Sequence, residues 1–327
     1  MEVVFAKPSV FSLTTCLFLL FVVPCPMPQV ISASRRTDIP ACYAPWFVNR
    51  LRAGHVFVQN PYSRKMSRVS LAPGDVHAIV FWSKNYAPLL SRLDEIERTT
   101  KNLFFHFTIT ANRELELHAP DPQDAIRDYQ FIARRYAAER IIWRYDPLCI
   151  TDQLSFEIHE ERFARCAEQL QGHATRCIIS FAHPYKKVLA NFQKDSGHRF
   201  IDPPLEAKKE YAERLALRAR ACGIILFACC NDYLLSASIG KASCIDGRYL
   251  SGMFEASLDT RSALTRTECA CTKSMDIGAY NTCVHGCLYC YANDDKDRAQ
   301  AAHEQHDPGW NALTMQVEEA DRAPAEA

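Results

Sequence analysis

The sequence predicts an α/β protein whose core is a partial or full β/α barrel of the TIM-like type. Three observations support this fold class: six short apolar runs recur along the chain, segments with helical character separate most of them, and polar residues follow where the runs end. Strands that alternate with helices pair in parallel through right-handed crossovers. With 327 residues, 48% of them hydrophobic, the chain has enough apolar material for one domain of this kind.

The strands are predicted from short runs rich in β-branched and aromatic residues, at residues 30–33, 77–82, 103–110, 141–145, 177–181 and 224–229, with a further extended segment at 55–59. Helices are predicted at residues 89–99, 122–138, 156–171 and 205–222. Asp121 is a good N-cap with Pro122 at the first helical position, and Gly223 marks the end of the last helix.

Polar side chains follow several of these predicted strands. In β/α barrels the chemistry sits at the C-terminal ends of the strands, so residues at those ends are expected to meet at one mouth. On this basis the candidates for catalytic roles are Arg35, Arg36, Asp38, Lys84, Arg144 and Asp146. The alternative is that these residues are polar only because loops generally are.

Five cysteines fall within the 22 positions from Cys269 to Cys290. The last three, Cys283, Cys287 and Cys290, have the spacing C-x3-C-x2-C. Three thiolates on a short loop can hold three irons of a cubane cluster and leave the fourth iron open, and thiolate is the ligand that iron–sulfur clusters select. A structural zinc knot that includes His285 is the main alternative, although zinc ribbons prefer paired C-x2-C hairpins. A disulfide framework is a third possibility.

A second group of cysteines precedes this triad and consists of Cys230, Cys244, Cys269 and Cys271. Alternate residues of an extended chain face the same side, so the C-A-C pair favours metal binding. The group is a candidate for an auxiliary iron–sulfur cluster or a zinc ion, and buried free thiols are the alternative. The chain has 15 cysteines, an odd number without even spacing, which argues against a secreted disulfide scaffold.

The triad, with the aromatic Tyr289 before its third cysteine, resembles the radical S-adenosylmethionine (radical SAM) enzymes. Their motif usually follows the first strand of a barrel near the N-terminus, so its position here resembles a circularly permuted arrangement. Residues 30–293 also resemble an uncharacterised bacterial family, known only as a domain of unknown function, in the segments S-A-S-R-R-T-D-I-P, W-R-Y-D-P and C-I-D-G.

The resemblance implies a 4Fe–4S cluster, S-adenosyl-L-methionine (SAM) as cofactor, reductive cleavage of SAM, and hydrogen abstraction from a substrate. It implies that Tyr289 packs near the adenine, that Ser83 and Asn85 are cofactor-binding candidates, and that a flavodoxin- or ferredoxin-like protein donates electrons. The Gly-Gly-Glu segment that helps to hold the methionine amine in the superfamily is not evident. The rival function is a non-catalytic iron–sulfur or zinc-binding protein with a regulatory or redox role.

The charge distribution predicts an anionic substrate. Net charge is zero, so no global field attracts nucleic acid or membrane. Residues 31–70, however, hold seven basic residues and one acid. W-S-K-N and W-R-Y-D-P are loosely similar to segments of spore photoproduct lyase, a radical SAM DNA-repair enzyme, which favours a nucleic acid or nucleotide over a carboxylate metabolite. The alternative is a solvated basic surface.

Three regions are predicted along the chain. Residues 1–26 are an apolar leader, residues 27–293 are a single barrel domain that ends in a predicted iron–sulfur loop at 269–293, and residues 294–327 are an acidic, partly disordered tail. The apolar run in the leader is short for a membrane span, and its n-region has only Lys7 against Glu2. We expect translation to start at Met27, with a signal peptide or anchor as the alternative. A labile iron–sulfur enzyme is expected in the cytoplasm without stable membrane association.

Overall fold

The computed structural model describes residues 28–195 and 197–318, and its main element is a parallel sheet. The strands among these residues are β1 (Gln29–Ala33), β2 (His55–Gln59), β3 (Met66–Ser70), β4 (Val76–Ser83), β5 (Leu103–Thr108), β6 (Ile141–Leu148), β7 (Arg176–Phe181), β8 (Ile225–Ala228), β9 (Ile239–Lys241) and β10 (Met275–Asp276). Eight of them form one sheet in the order β10-β1-β4-β5-β6-β7-β8-β9, and every neighbouring pair is parallel. Strands β2 and β3 form a separate antiparallel hairpin.

Ten α-helices lie among the described residues: α1 (Ile39–Cys42), α2 (Ala44–Ala53), α3 (Ala87–Leu90), α4 (Leu93–Ile96), α5 (Pro122–Tyr136), α6 (Phe156–Leu170), α7 (Lys186–Asp195), α8 (Leu205–Ala221), α9 (Gly247–Met253) and α10 (Lys296–Glu304). The predicted start of α5 is confirmed, because the Asp121 side chain accepts a hydrogen bond from the backbone N–H of Gln123 at 2.9 Å. The N-cap of α6 is Ser155, whose side chain accepts from the backbone N–H of Ile158.

The two faces of the sheet are covered differently. Alternate residues of a strand face opposite sides, so Phe81 and Trp143 belong to a core shared with the long helices. Trp143 stacks on Phe163 of α6, with ring centroids 4.7 Å apart. The residues that alternate with these along each strand, such as Val80 and Ile142, face the other side of the sheet. There they pack against residues 242–271, a segment that contains α9 and much irregular chain.

The six predicted strands are confirmed, and together with the helices they give the predicted α/β fold with a parallel sheet. The sheet contains two further strands, β9 and β10, that the sequence did not reveal, because segments of three and two residues are too short to show periodicity. Among the described residues β9 and β10 are not paired with each other, so the sheet does not close into a full barrel there.

The predicted helix at residues 89–99 is wrong as a single element. Its apolar spacing is helical and does identify the buried side chains Leu89, Leu93 and Ile96. The chain nevertheless forms two single turns, α3 and α4, joined by a turn at Ser91 and Arg92. Several backbone bonds here span three residues instead of four, for example from the N–H of Arg92 to the carbonyl of Leu89 at 2.9 Å. Periodicity therefore located the buried face but not this tightening of the backbone.

The acidic tail begins with α10 and then returns to the body of the protein. The indole N–H of Trp46, on α2, donates to the carbonyl of Trp310 at 3.0 Å, and the N–H of Phe57 donates to the carbonyl of Asn311 at 2.8 Å. The predicted leader, residues 1–26, lies outside the described residues, as do residues 319–327. In the described part of the chain no helix is both long and apolar enough to span a bilayer.

Candidate functional site

The cysteine loop, residues 277–293, directly follows the edge strand β10 and lies at the carboxyl ends of the sheet. It pairs with the chain that follows β5: the N–H of Leu288 donates to the carbonyl of Leu115 at 2.9 Å, and the N–H of His118 donates to the carbonyl of His285 at 3.0 Å. Its residues Leu288 and Tyr289 share an apolar cluster with residues that follow β6 and β7. The loop therefore spans several strand ends at the edge where β/α proteins place their chemistry.

The three thiols of the triad lie on this loop, near enough for Cys290 and Cys283 to affect Cys287 electrostatically. Cys287 is buried, and Cys283 and Cys290 are partly buried. Burial raises the pKa of the Cys287 thiol, and nearby Cys290 and Cys283 raise it further. The pKa of Cys283 is also raised, first by a hydrogen bond with Cys42 and then by burial. Cys42, at the end of α1, is a fourth sulfur beside the triad that sequence reasoning did not single out.

Lys84 lies beside the triad in a buried polar network. Its Nζ is 2.9 Å from Oε1 of Glu116 and donates to the hydroxyl of Tyr289 at 3.0 Å. The hydroxyls of Tyr289 and Thr110 both donate to the same carboxylate oxygen of Glu116. Burial alone would lower the pKa of Lys84, but Glu116 and Cys287 outweigh it and raise the pKa. Lys84 is therefore a buried cation at the end of β4 that is held by the chain after β5 and by the cysteine loop.

Asp38 organises the other side of the loop. Its carboxylate accepts from the hydroxyl of Ser83 at 2.7 Å, from the backbone N–H groups of Lys84 and Ala41 at 2.9 Å each, and lies 2.8 Å from Nε2 of His285. Burial acts to lower the pKa of His285, but Cys283 and Asp38 raise it to about 9. His285 is therefore a cation at neutral pH, and Asp38 joins it to the ends of β1 and β4.

Ser83 and Asn85, predicted to contact the cofactor, are used in the turn after β4. The hydroxyl of Ser83, whose one proton is shared with Asp38, also lies 2.9 Å from the carbonyl of Asn85. The side-chain oxygen of Asn85 accepts from the N–H of Ala87, at the start of α3, at 3.1 Å. These contacts fix the strand end that presents Lys84.

Arg35 and Arg36, predicted as catalytic, both pair with Asp276 of β10. Nε of Arg36 is 2.9 Å from Oδ1 of Asp276, and its Nη2 donates to the Asp276 carbonyl at 2.7 Å. Nε of Arg35 is 3.7 Å from Oδ2, and its Nη1 has no hydrogen-bond partner among the described residues. The two arginines thus differ: the guanidinium of Arg36 is engaged in holding β10, while that of Arg35 retains a donor.

Arg144 and Asp146, at the end of β6, form an ion pair with each other. The hydroxyl of Ser180, on β7, donates to the second oxygen of Asp146. Arg144 also donates from Nη1 to the sulfur of Cys244 at 3.2 Å. The pair therefore connects the sheet edge to the second group of cysteines.

The four cysteines predicted as an auxiliary group, Cys230, Cys244, Cys269 and Cys271, come together in the structure, and Cys229 joins them. The sulfur of Cys229 lies 3.8 Å from that of Cys230 and 3.4 Å from that of Cys244. Among the described residues, however, no group of three or more His, Cys, Asp or Glu side chains is arranged so that it could hold a metal ion.

Tyr291 directly follows Cys290 of the triad, and its side chain is 47% exposed. The hydroxyl donates to the carbonyl of Arg35 at 2.8 Å. Tyr291 therefore ties the cysteine loop to the chain that follows β1.

Sequence reasoning missed Glu116, Cys42, Cys229 and Arg266 as members of this region, and weighed His285 only as a zinc ligand. Cys229 could have been found, since it is adjacent to Cys230 at a strand end. Glu116 lies eight residues past β5 in a loop without periodicity, and nothing local indicates that its carboxylate turns back into the site.

Comparison with known proteins gives one match. A family model described as Domain of unknown function (DUF1848) matches residues 30–292. The match covers most of the chain, so the protein belongs to this family. The search of curated proteins and the search of solved structures return no match.

Proposed function

We propose that the protein is a radical SAM-type enzyme that holds a 4Fe–4S cluster with Cys283, Cys287 and Cys290. The observation that carries this proposal is the placement of three neighbouring thiols on one loop after an edge strand, at the carboxyl end of a parallel sheet. A bound 4Fe–4S cluster with an open iron would chelate the amino and carboxylate groups of SAM and pass on the electron that cleaves its sulfonium.

The order of strands supports a permuted arrangement. Strand β10 is an edge strand, and its neighbours β1, β4, β5, β6, β7, β8 and β9 follow in the order of the sequence. Counted from the edge, β10 is the first strand, and the cysteine loop follows it. In the superfamily that the motif resembles, the loop likewise follows the first strand of the barrel.

The donor set fits such a cluster in type and surroundings. Thiolates are its natural ligands, and metal binding releases their protons. Two cations lie where they offset thiolate charge: Lys84 acts to lower the pKa of Cys287, and His285 acts to lower that of Cys283. The loop is itself held by bonds to neighbouring elements, for example from the hydroxyl of Tyr43 to the carbonyl of Thr282 at 2.6 Å.

The chain's own polar residues then orient and shield the reacting groups. Lys84 and Glu116 fix the hydroxyl of Tyr289, so this ring has a set orientation beside the triad. Arg144 and Asp146 form an ion pair on β6, and Arg144 reaches the second group of thiols through Cys244. The free donor of Arg35 supports an anionic substrate, and we propose a nucleic acid or a nucleotide, since a guanidinium matches phosphate oxygens.

The cluster is the first requirement of this function. Anaerobically purified protein should be brown and hold about four irons at the triad. Cys287→Ala should lose those irons and keep its fold, because it removes only one sulfur atom from the apolar cluster that contains Cys287. Cys149→Ala is the matched control: Cys149 is buried in the same apolar cluster as Cys287 but is not part of the triad, so its iron content should stay unchanged.

Three outcomes would count against the proposal. Stoichiometric zinc at the triad, with no iron under anaerobic conditions, would indicate a zinc-binding protein. Equal iron in wild type and Cys287→Ala would show that the triad does not hold the cluster. A protein that binds the cluster without cleaving SAM would have the rival regulatory or redox role.

A further inference from the structure

The second group of thiols forms a closed ring of five sulfurs, contributed by Cys229, Cys230, Cys244, Cys269 and Cys271. Two of its members follow β8. The other three belong to residues 242–271, which pack on the face of the sheet that contains Val80 and Ile142. The sulfur–sulfur distances are 3.8 Å for Cys229–Cys230 and 3.4 Å for Cys229–Cys244. Cys230 also neighbours Cys269, Cys269 neighbours Cys271, and Cys271 neighbours Cys244, which completes the ring.

The surroundings of the ring are those of thiolates rather than of neutral thiols. The guanidinium of buried Arg144 donates to the sulfur of Cys244 at 3.2 Å, and Arg266 approaches the sulfur of Cys229 to 3.8 Å from the solvent side. Neutral thiols in an apolar core have no need of two cations. Because Arg144 also pairs with Asp146, it is part of a longer chain of charges.

Neutral donors also point at the sulfurs. The backbone N–H of Ile245 donates to Cys271, the N–H of Cys271 donates to Cys269, and the hydroxyl of Thr265 donates to Cys269, each at 3.4 Å. Donors of this kind stabilise metal-bound thiolates and orient them.

We infer that four of these five sulfurs bind one zinc ion, at a site that is separate from the triad. Sulfurs about 2.3 Å from a tetrahedral zinc ion lie about 3.8 Å apart, which is close to the spacing within the ring. In an iron–sulfur cubane, irons and sulfides lie between the cysteines, which holds their sulfurs farther apart. Four thiolates and one Zn²⁺ carry a net charge of about −2, which Arg144 and Arg266 can offset.

The sulfur of Cys229 is in contact with those of Cys230 and Cys244, and as placed no group of three or more His, Cys, Asp or Glu side chains among the described residues has metal-binding geometry. Zinc binding therefore requires the thiols to turn about their Cα–Cβ bonds toward a common centre. The site would tie the end of β8 to residues 242–271, whose only helix is α9. Such a cross-link would stabilise this segment, which has little regular secondary structure of its own.

The test uses the full chain in a variant without the triad, Cys283→Ala/Cys287→Ala/Cys290→Ala, so that only the ring can bind metal. We expect about one zinc per chain by elemental analysis. After zinc is removed with a chelator, titration with Co²⁺ should give the intense visible absorption of a tetrahedral thiolate complex, and Zn²⁺ should abolish it. In the same background, adding Cys269→Ser/Cys271→Ser leaves three sulfurs, and both signals should be lost.

The matched control is Cys166→Ala/Cys222→Ala in the same background, because these cysteines lie outside both groups and their removal should leave zinc unchanged. Several iron atoms per chain in place of zinc would overturn the assignment in favour of an auxiliary cluster. No metal and no cobalt spectrum in a folded protein would overturn it in favour of free thiols. Because the cobalt titration needs no ring substitution, a ring variant that fails to fold leaves the test intact.

Discussion

Single residues at the mouth of the sheet are tied to one another before any ligand arrives. The ion pair of Lys84 and Glu116 is buried, with the two side chains 13% and 5% exposed. Removing one member of a buried pair leaves the other charge without compensation, which costs far more than loss of an exposed pair. The same carboxylate accepts from Tyr289, so Glu116 affects both the stability of the region and the orientation of that ring.

Glu116→Gln should therefore destabilise the protein by about 3 kcal/mol, measured by urea denaturation at neutral pH. Glu114→Gln is the control: it lies two residues away and pairs with Arg162 at a more exposed position, with side chains 30% and 20% exposed. Its loss should cost about 1 kcal/mol or less. Equal effects of the two substitutions would contradict the central role of Glu116.

The two adjacent arginines should respond differently to substitution. Arg35 has a donor without a partner among the described residues, so Arg35→Gln should weaken the binding of a phosphorylated ligand about tenfold. The substitution should also reduce the salt dependence of the binding constant by the amount expected for about one phosphate contact. Arg36 is engaged with Asp276, so Arg36→Gln should reduce stability instead. Oligonucleotides and nucleotides titrated at two salt concentrations check this; if no polyanion binds the wild type at low salt, the proposed substrate class is wrong.

At the scale of elements, the short strand β10 depends on side chains as much as on backbone pairing. The strand has only two residues, Met275 and Asp276, and both pair with β1. Asp276 adds hydrogen bonds from the hydroxyls of Ser32 and Ser34 at 2.7 and 2.6 Å and from the N–H of Arg35 at 2.9 Å. The cysteine loop begins immediately after this strand, so Asp276 indirectly positions the triad.

The attachment of β10 should be sensitive to acid. Burial alone would raise the pKa of Asp276, but Arg36 and the hydroxyl and amide donors lower it overall. A folded pKa below the unfolded value of about 3.9 gives stability that is complete above that value. This stability is lost as pH falls through the lower, folded pKa. Asp276→Asn should therefore destabilise the protein by about 3 kcal/mol at pH 7 and by much less well below pH 4. Denaturation curves at both pH values check this, and an equal loss at both would contradict the ionic role of Asp276.

At the scale of the whole molecule, the sequence predicted the parallel α/β fold and the side chains that gather at one edge. Apolar runs revealed the six longer strands of the sheet, because each has at least four residues. The side chains at their ends come together because the carboxyl ends of parallel strands lie at the same edge of a sheet. It could not reveal β10, whose two residues pair with a strand more than 240 positions away. The sequence also could not show that Arg36 forms an ion pair with Asp276, or that Glu116 forms one with Lys84. Such partners are set by tertiary contacts, which leave no local pattern.

Reductive cleavage of SAM at the triad is the reaction that we propose, and its product can be measured directly. Anaerobically reconstituted protein is incubated with SAM and a strong chemical reductant, and 5′-deoxyadenosine is measured by mass spectrometry. The wild type and Cys149→Ala should form it, while Cys287→Ala and a sample without reductant should not. If wild-type protein with its full complement of iron forms no 5′-deoxyadenosine, the enzyme assignment is contradicted and the non-catalytic role is favoured.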